Sequence, residues 1–98
     1  MNALGIFDET RALARLLKLL QDEDRDGLST LNMYRLMKET YSVARTAVDS
    51  SLEAALKLGL VEQHTSQRFK VNILTLKGIA AAVKLEELET ILSSNSVI

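Results

Sequence analysis

The chain has 98 residues, with no cysteine, no proline, no tryptophan and a single histidine, His64. Without cysteine there is no disulfide framework, no thiolate nucleophile and no Cys-type zinc site, which fits a reducing compartment. The lack of proline leaves boundaries to be read from glycines, helix caps and hydrophobic period. No apolar run approaches the ~18 residues that span a bilayer. The start, MNALGIFDETR, has neither the basic region nor the long apolar stretch of a signal peptide. A cytoplasmic protein with no membrane partner is expected. One histidine in a strand-like stretch, with no cysteine near it, offers neither a metal-ligand set nor a catalytic base. The four glycines stand too far apart to form a phosphate-cradling loop. Ser50 and Ser51 have no evident base beside them, and the paired Glu86 and Glu87 read as a solvated helix face. Catalysis, a metal and a cofactor are all unsupported, so a non-enzyme is expected.

What is present is an ordinary globular composition, 47% hydrophobic and 26% charged, in a length that makes one domain with one core. The formal charge of −1 hides an uneven distribution. Residues 1–27 and 85–98 are both net acidic. Residues 28–84 carry eight basic side chains against four acidic ones, an excess of +4. A central basic excess between acidic ends suits a polyanion partner, though weakly by itself.

Hydrophobic period divides the chain into elements. Leu13, Leu16, Leu17 and Leu20 recur at helical spacing, giving a helix over 8–21 with Asp8 as its cap and Ile6 or Phe7 packing outside it. Leu28-Ser29-Thr30 has room for one stub of strand. A second helix covers 32–39 with Met33, Leu36 and Met37 on one side. Ser42 is expected to cap a third helix reaching Leu58, in which Ala44, Val48, Ser51, Leu52 and Ala55 share one face. Gly59 suits the left-handed position after a helix. The period then drops to two: strands over 60–65 and 68–74 flank a Ser66-Gln67 turn, with Phe69, Val71 and Ile73 pointing one way and Arg68, Lys70 and Asn72 opposite, on the outer side. Thr75 can cap a last helix over 76–92. The fold class is mainly α with a small β-hairpin (α+β), a winged helix-turn-helix. It forms a single domain over 1–98, with its core at 8–75 and a C-terminal dimerisation helix at 76–92.

That last helix carries two apolar stripes. Leu76, Ile79, Ala80 and Val83 form one, and Ala81, Leu85, Leu88 and Leu92 the other, at coiled-coil spacings of four, three and four. The second stripe, joined by Ala12 and Leu19, is expected to be the contact of a homodimer. The alternative is that both stripes are covered within one monomer.

Upstream, DEDRDG places Asp22, Asp24, Asp26 and Gly27 as in the first half of an EF-hand loop. The twelfth position, where calcium needs a bidentate glutamate, is Met33, which helix two requires for its core. A solvated turn is the simpler reading.

The polar face of helix three and the hairpin carry the nucleic-acid reading. A helix entering the major groove needs short or bidentate side chains towards its N-terminus. Ser42, Arg45, Thr46, Asp49 and Ser50 supply them, although Asp49 would repel phosphate. Gln67 at the hairpin tip, with Arg68 and Lys70 beside it, can grip the flanking backbone. The stretch YSVARTAVDSSLEAALKLGLVE (residues 41–62) resembles the recognition-helix and strand-two segment of winged-helix transcriptional regulators of the MarR and PadR type. ILTLKGIAAAVKLEELETIL (residues 73–92) is similar to the start of their last helix. The resemblance implies a dimeric regulator that binds specific double-stranded DNA sequences and acts in the manner of a repressor. By position, Ser42, Arg45 and Thr46 match contact sites on the recognition helix, and Arg68 and Lys70 match the wing. The chain is shorter than a typical MarR protein, and an effector is left unassigned. The remaining alternative is a winged-helix module that binds proteins and not DNA.

Overall fold

The leucine stripe forms its helix, α1, Ala3–Glu23. The computed structural model describes residues 3–23 and 27–93. Because α1 begins at Ala3, Asp8 lies inside the helix and does not cap it; the proposed packing of Ile6 or Phe7 lies outside the described side chains. Asp24 and Asp26 of the acidic turn also lie outside the described residues. The turn leaves at Gly27, whose φ of 99° favours glycine. A Cβ there would also come within 2.6 Å of the Val71 and Ile73 side chains, so Gly27 is fixed by space as well as by torsion.

A strand stub, β1, follows at Leu28–Ser29. Ser29 caps the next helix, its hydroxyl accepting from the Asn32 amide at 3.2 Å. That helix is α2, Thr30–Tyr41, and it buries Met33 and Met37. It ends on Ser42, which adopts a left-handed φ of 59° and donates its N–H to Lys38 O at 2.9 Å. This corrects the expected role of Ser42: it terminates α2, and the helix after it, α3, runs over Arg45–Lys57 with Ala44 at its N-cap. Val48, Ser51, Leu52 and Ala55 are buried as the period predicts, whereas Ala44 is exposed.

Two strands follow, β2 (Val61–Ser66) and β3 (Phe69–Leu74), in an antiparallel sheet of order β1-β3-β2. Val61 pairs with Leu74 and Ser66 with Phe69, which sets Gln67 and Arg68 at the tip. The turn is thus one residue later than expected, with Gln67 in the left-handed region at φ 56°. The facing of β3 also differs. Phe69 is 53% exposed, while Asn72, read from sequence as outward, is fully buried. Its amide donates to Leu28 O (3.1 Å) and Thr30 Oγ1 (3.0 Å), and its carbonyl accepts from Gln63 Nε2 (3.0 Å). A polar side chain is buried here because β3 is the central strand and every polar atom of Asn72 finds a partner.

The last helix, α4, spans Leu76–Ser93. The segments LGLV and LTLKG meet at its start. The Thr75 amide donates to Leu60 O (3.1 Å), and its hydroxyl donates to Gly59 O (2.7 Å) while accepting from the Gly78 amide (2.9 Å). Gly78 is buried, and an added Cβ would fall 1.9 Å from Leu60 O.

Beyond this joint α4 lies along α1. Ala82 is buried, and Ala81 and Leu85 pack against the core. Glu89 pairs with Arg11 and Arg15 (both 3.9 Å), and Glu86 with Lys18 (3.3 Å). Half of the stripe expected at a dimer contact, Ala81 and Leu85, is therefore spent within the monomer. Leu19 is only 4% exposed and has no surface to offer a second copy. Leu88 is exposed to the same degree as Ile79 and Val83, and the Leu92 side chain lies outside the described residues. The first stripe is exposed along its whole length, Leu76 (87% exposed), Ile79, Ala80 and Val83, and Ile91 is exposed two turns further on, past Glu87. The complete order, three helices and a three-stranded sheet followed by α4, is a winged helix-turn-helix.

Candidate nucleic-acid interface

The exposed surface of α3 begins where the chain leaves the tight turn at Ser42. Arg45 and Thr46 open the helix, and Asp49 and Ser50 follow one turn on; all four are exposed. Ser42 is exposed too, but it stands in the turn before α3. Ala44 provides no side-chain cap, so no side chain from that position satisfies the first amides of α3. The tip residues Gln67 and Arg68, and Lys70 on β3, are exposed on the hairpin.

A cleft of about 410 Å³ lies between α2 and the hairpin. Leu31 and Tyr34 of α2 form one wall, and Arg68, Phe69 and Lys70 of the hairpin form the other. A second hollow, about 470 Å³, shares Leu31 and Tyr34 with the first and is lined by Arg35, Lys38 and Arg45 as well. The structure thus gathers α2, the start of α3 and the wing around one surface. Lys38 and Tyr34 belong to it and were not singled out in the sequence.

The distribution of ion pairs separates this surface from the rest. Arg11, Arg15 and Lys18 on α1 are paired with acidic residues of α4. Arg35, Lys57 and Lys84 pair within their own helices. Among the described residues, Lys38, Arg45, Arg68, Lys70 and Lys77 make no ion pair. Four of these five lie on α2, α3 and the hairpin. Their charge is available to an external anion.

Asp49, the acidic group on this side of α3, is engaged. It accepts a hydrogen bond from the Tyr34 hydroxyl. The Arg45 guanidinium lies over the Tyr34 ring, 4.4 Å from its centroid. The hydrogen bond to Asp49, and secondarily burial, raises the Tyr34 phenol above its usual value. His64 stands apart on β2, 3.3 Å from Glu62, both exposed. No group of histidine and acidic side chains suited to a metal occurs among the described residues, and no described helix is long and apolar enough to cross a membrane.

No protein-family model matches the sequence, and no curated protein matches it by sequence. Solved structures do match in three dimensions. F-93 of SSV1 superposes with a TM-score of 0.68 at 22% identity, over 81% of this chain and 87% of that one. RosR of H. salinarum gives 0.66 at 22% identity, over 88% and 78%. MepR, a transcription regulator of the Staphylococcus aureus multidrug efflux pump MepA, gives 0.62 at 24% identity, over 96% and 70%. At these identities the likeness is one of fold, and it is the winged-helix fold that the chain shares with them.

Proposed function

We propose that this chain is a transcription regulator, repressor-like in action, that binds specific sequences of double-stranded DNA as a homodimer in the cytoplasm. The observation that carries the reading is the set of cations on α2, α3 and the wing that make no ion pair among the described residues, set around an exposed helix face in a fold shared with the transcription regulator MepR. Lys38, Arg68 and Lys70 contact phosphates and fix the orientation on the duplex. Arg45, Thr46 and Ser50 face the major-groove base edges, where an arginine pairs with guanine and a hydroxyl with several partners. Ser42 lies within reach of the backbone from its turn. The reaction is binding, not catalysis.

The second copy packs on the exposed stripe of α4, Leu76, Ile79, Ala80, Val83 and Ile91. From Leu76 to Val83 the stripe carries no charge, and exposed Glu87 separates it from Ile91, so the uncharged first half on a two-fold mate complements the same surface. The operator is then palindromic, with half-sites about one helical turn, roughly 34 Å, apart.

Duplex affinity of Arg45→Ala and Arg68→Ala tests the assignment. Arg45→Ala should weaken binding by about 1–3 kcal/mol and Arg68→Ala should weaken it uniformly across sequences and lower the salt slope by about 1, while Lys57→Ala, whose lysine is already paired with Glu53 at 3.2 Å, should leave it nearly unchanged. Full affinity in the double variant would overturn the assignment. The exposed apolar stripe also favours a second reading, a module that binds another protein there; failure to bind any duplex at low salt would select it.

A further inference from the structure

The most connected side chain on this surface is one that would not itself touch the bases. Tyr34 sits in the middle of α2, half-buried, and reaches across to α3. Its hydroxyl donates to Asp49 Oδ1, and its ring underlies the Arg45 guanidinium at 4.4 Å. Arg45 and Asp49 are one helical turn apart on the same face, a spacing that normally favours an ion pair, yet no such pair forms. Each side chain uses Tyr34 instead.

We propose that Tyr34 is the positioning residue of the reading helix: it draws the Asp49 carboxylate back towards α2 and holds the Arg45 guanidinium flat, so that α3 presents an oriented cation and a restrained anion to DNA. This rests on the DNA-binding reading given above and names how that site obtains its selectivity. The chemistry of the three groups supports it. A guanidinium stacked on an aromatic face loses rotational freedom but keeps its N–H edge open for two parallel hydrogen bonds. The Asp49 oxygen that accepts the phenol hydroxyl is engaged by α2 and less available to face an incoming phosphate. The raised phenol agrees with a proton held firmly against Asp49. The sequence counted Asp49 against DNA binding, and this arrangement explains how the residue is accommodated.

Three variants separate positioning from simple bracing of α2 against α3. Tyr34→Phe keeps the ring and frees Asp49, so affinity for every duplex should fall about fivefold, the scale of one surface charge interaction. Adding Asp49→Asn to Tyr34→Phe should restore that loss. Tyr34→Leu removes the ring as well. Sequences selected from a random duplex pool should then lose their preference at the same base pairs that Arg45→Ala relaxes. Side-chain NMR of the DNA-free protein supplies an independent readout: ring-current shifts at Arg45 should persist in Tyr34→Phe and vanish in Tyr34→Leu. A mere brace would lower the melting temperature and scale all affinities together, leaving preference intact. Unchanged preference in a folded Tyr34→Leu, or no rescue by Asp49→Asn, overturns the proposal alone. No duplex binding by the unsubstituted protein overturns the DNA reading, and the proposal with it.

Discussion

Replacing Gly78 with alanine sets two physical expectations against each other, and the sign of the result decides between them. Gly78 lies in the first turn of α4. On helix propensity alone, alanine is better by up to about 1 kcal/mol. The structure predicts the reverse. The new Cβ would lie 1.9 Å from Leu60 O and 2.9 Å from Leu60 C, both backbone atoms that no rotamer change can move. Bringing the contact to even 3.0 Å requires α4 and the strand start to part by about 1 Å. Overpacking of this kind costs about 1–3 kcal/mol. The same displacement strains the bonds from Thr75 to Leu60 and Gly59, which contribute about 1 kcal/mol each. The net expectation is a loss of about 2–4 kcal/mol, a large part of the ~5–15 kcal/mol that holds a domain together. Urea unfolding followed by circular dichroism measures it, and in a domain of this size the melting temperature should drop by at least about 8 °C. Gly59→Ala is the comparison: it meets no atom within 4 Å and bears only the left-handed φ of 74°, a cost of about 1–2 kcal/mol. A Gly78→Ala protein as stable as the original would refute the joint between α4 and the start of β2.

Asn72→Ala should cost about 2–3 kcal/mol, since Gln63, Thr30 and Leu28 O all lose a partner; chemical denaturation checks it, and a loss under 0.5 kcal/mol would argue against a pin between the wing and α2. Stability should fall as pH rises above about 10, because Tyr34 is held above its usual 10.0 by Asp49 and Lys18 above its usual 10.5 by Glu86 and Asp22. In that range the unfolded chain has already lost protons that the folded state retains, so the sign is a loss with increasing pH. Thermal melts between pH 9 and 11 should show a shallower slope in Tyr34→Phe; an identical slope would count against the Tyr34–Asp49 bond. Val83→Asp should dissociate a dimer while preserving the monomer fold, since a carboxylate in an apolar contact costs several kcal/mol. Leu85→Asp should instead unfold the chain. Sedimentation showing Val83→Asp still dimeric would relocate the contact.

How much of this was legible in the sequence depended on the range of the forces involved. The helices, hairpin and Gly59 followed from period and local torsion, which are written over a few neighbouring residues. Ser42 was misplaced because a serine before a helix resembles an N-cap, while the left-handed turn it makes is imposed by docking α2 on α3. Both apolar stripes of α4 were visible. Which one faces the core was not, because that is decided by Leu60 at Gly78 and by pairs such as Lys18–Glu86, 68 residues apart. Asn72 reads as a surface residue until its partners on β1, β2 and α2 are assembled around it. The site divided in the same way: the exposed face of α3 was legible from amphipathic spacing, whereas Tyr34 and Lys38 joined it only through the packing of one helix across another.

The salt dependence of duplex binding tests the central claim most directly. With Lys38, Arg45, Arg68 and Lys70 each releasing a counterion in both copies of a dimer, the slope of log affinity against log salt should approach roughly −7. A selected duplex titrated from about 50 to 200 mM salt should show that steep decline. Binding insensitive to salt, or no binding to any duplex at the lowest salt, would contradict the account.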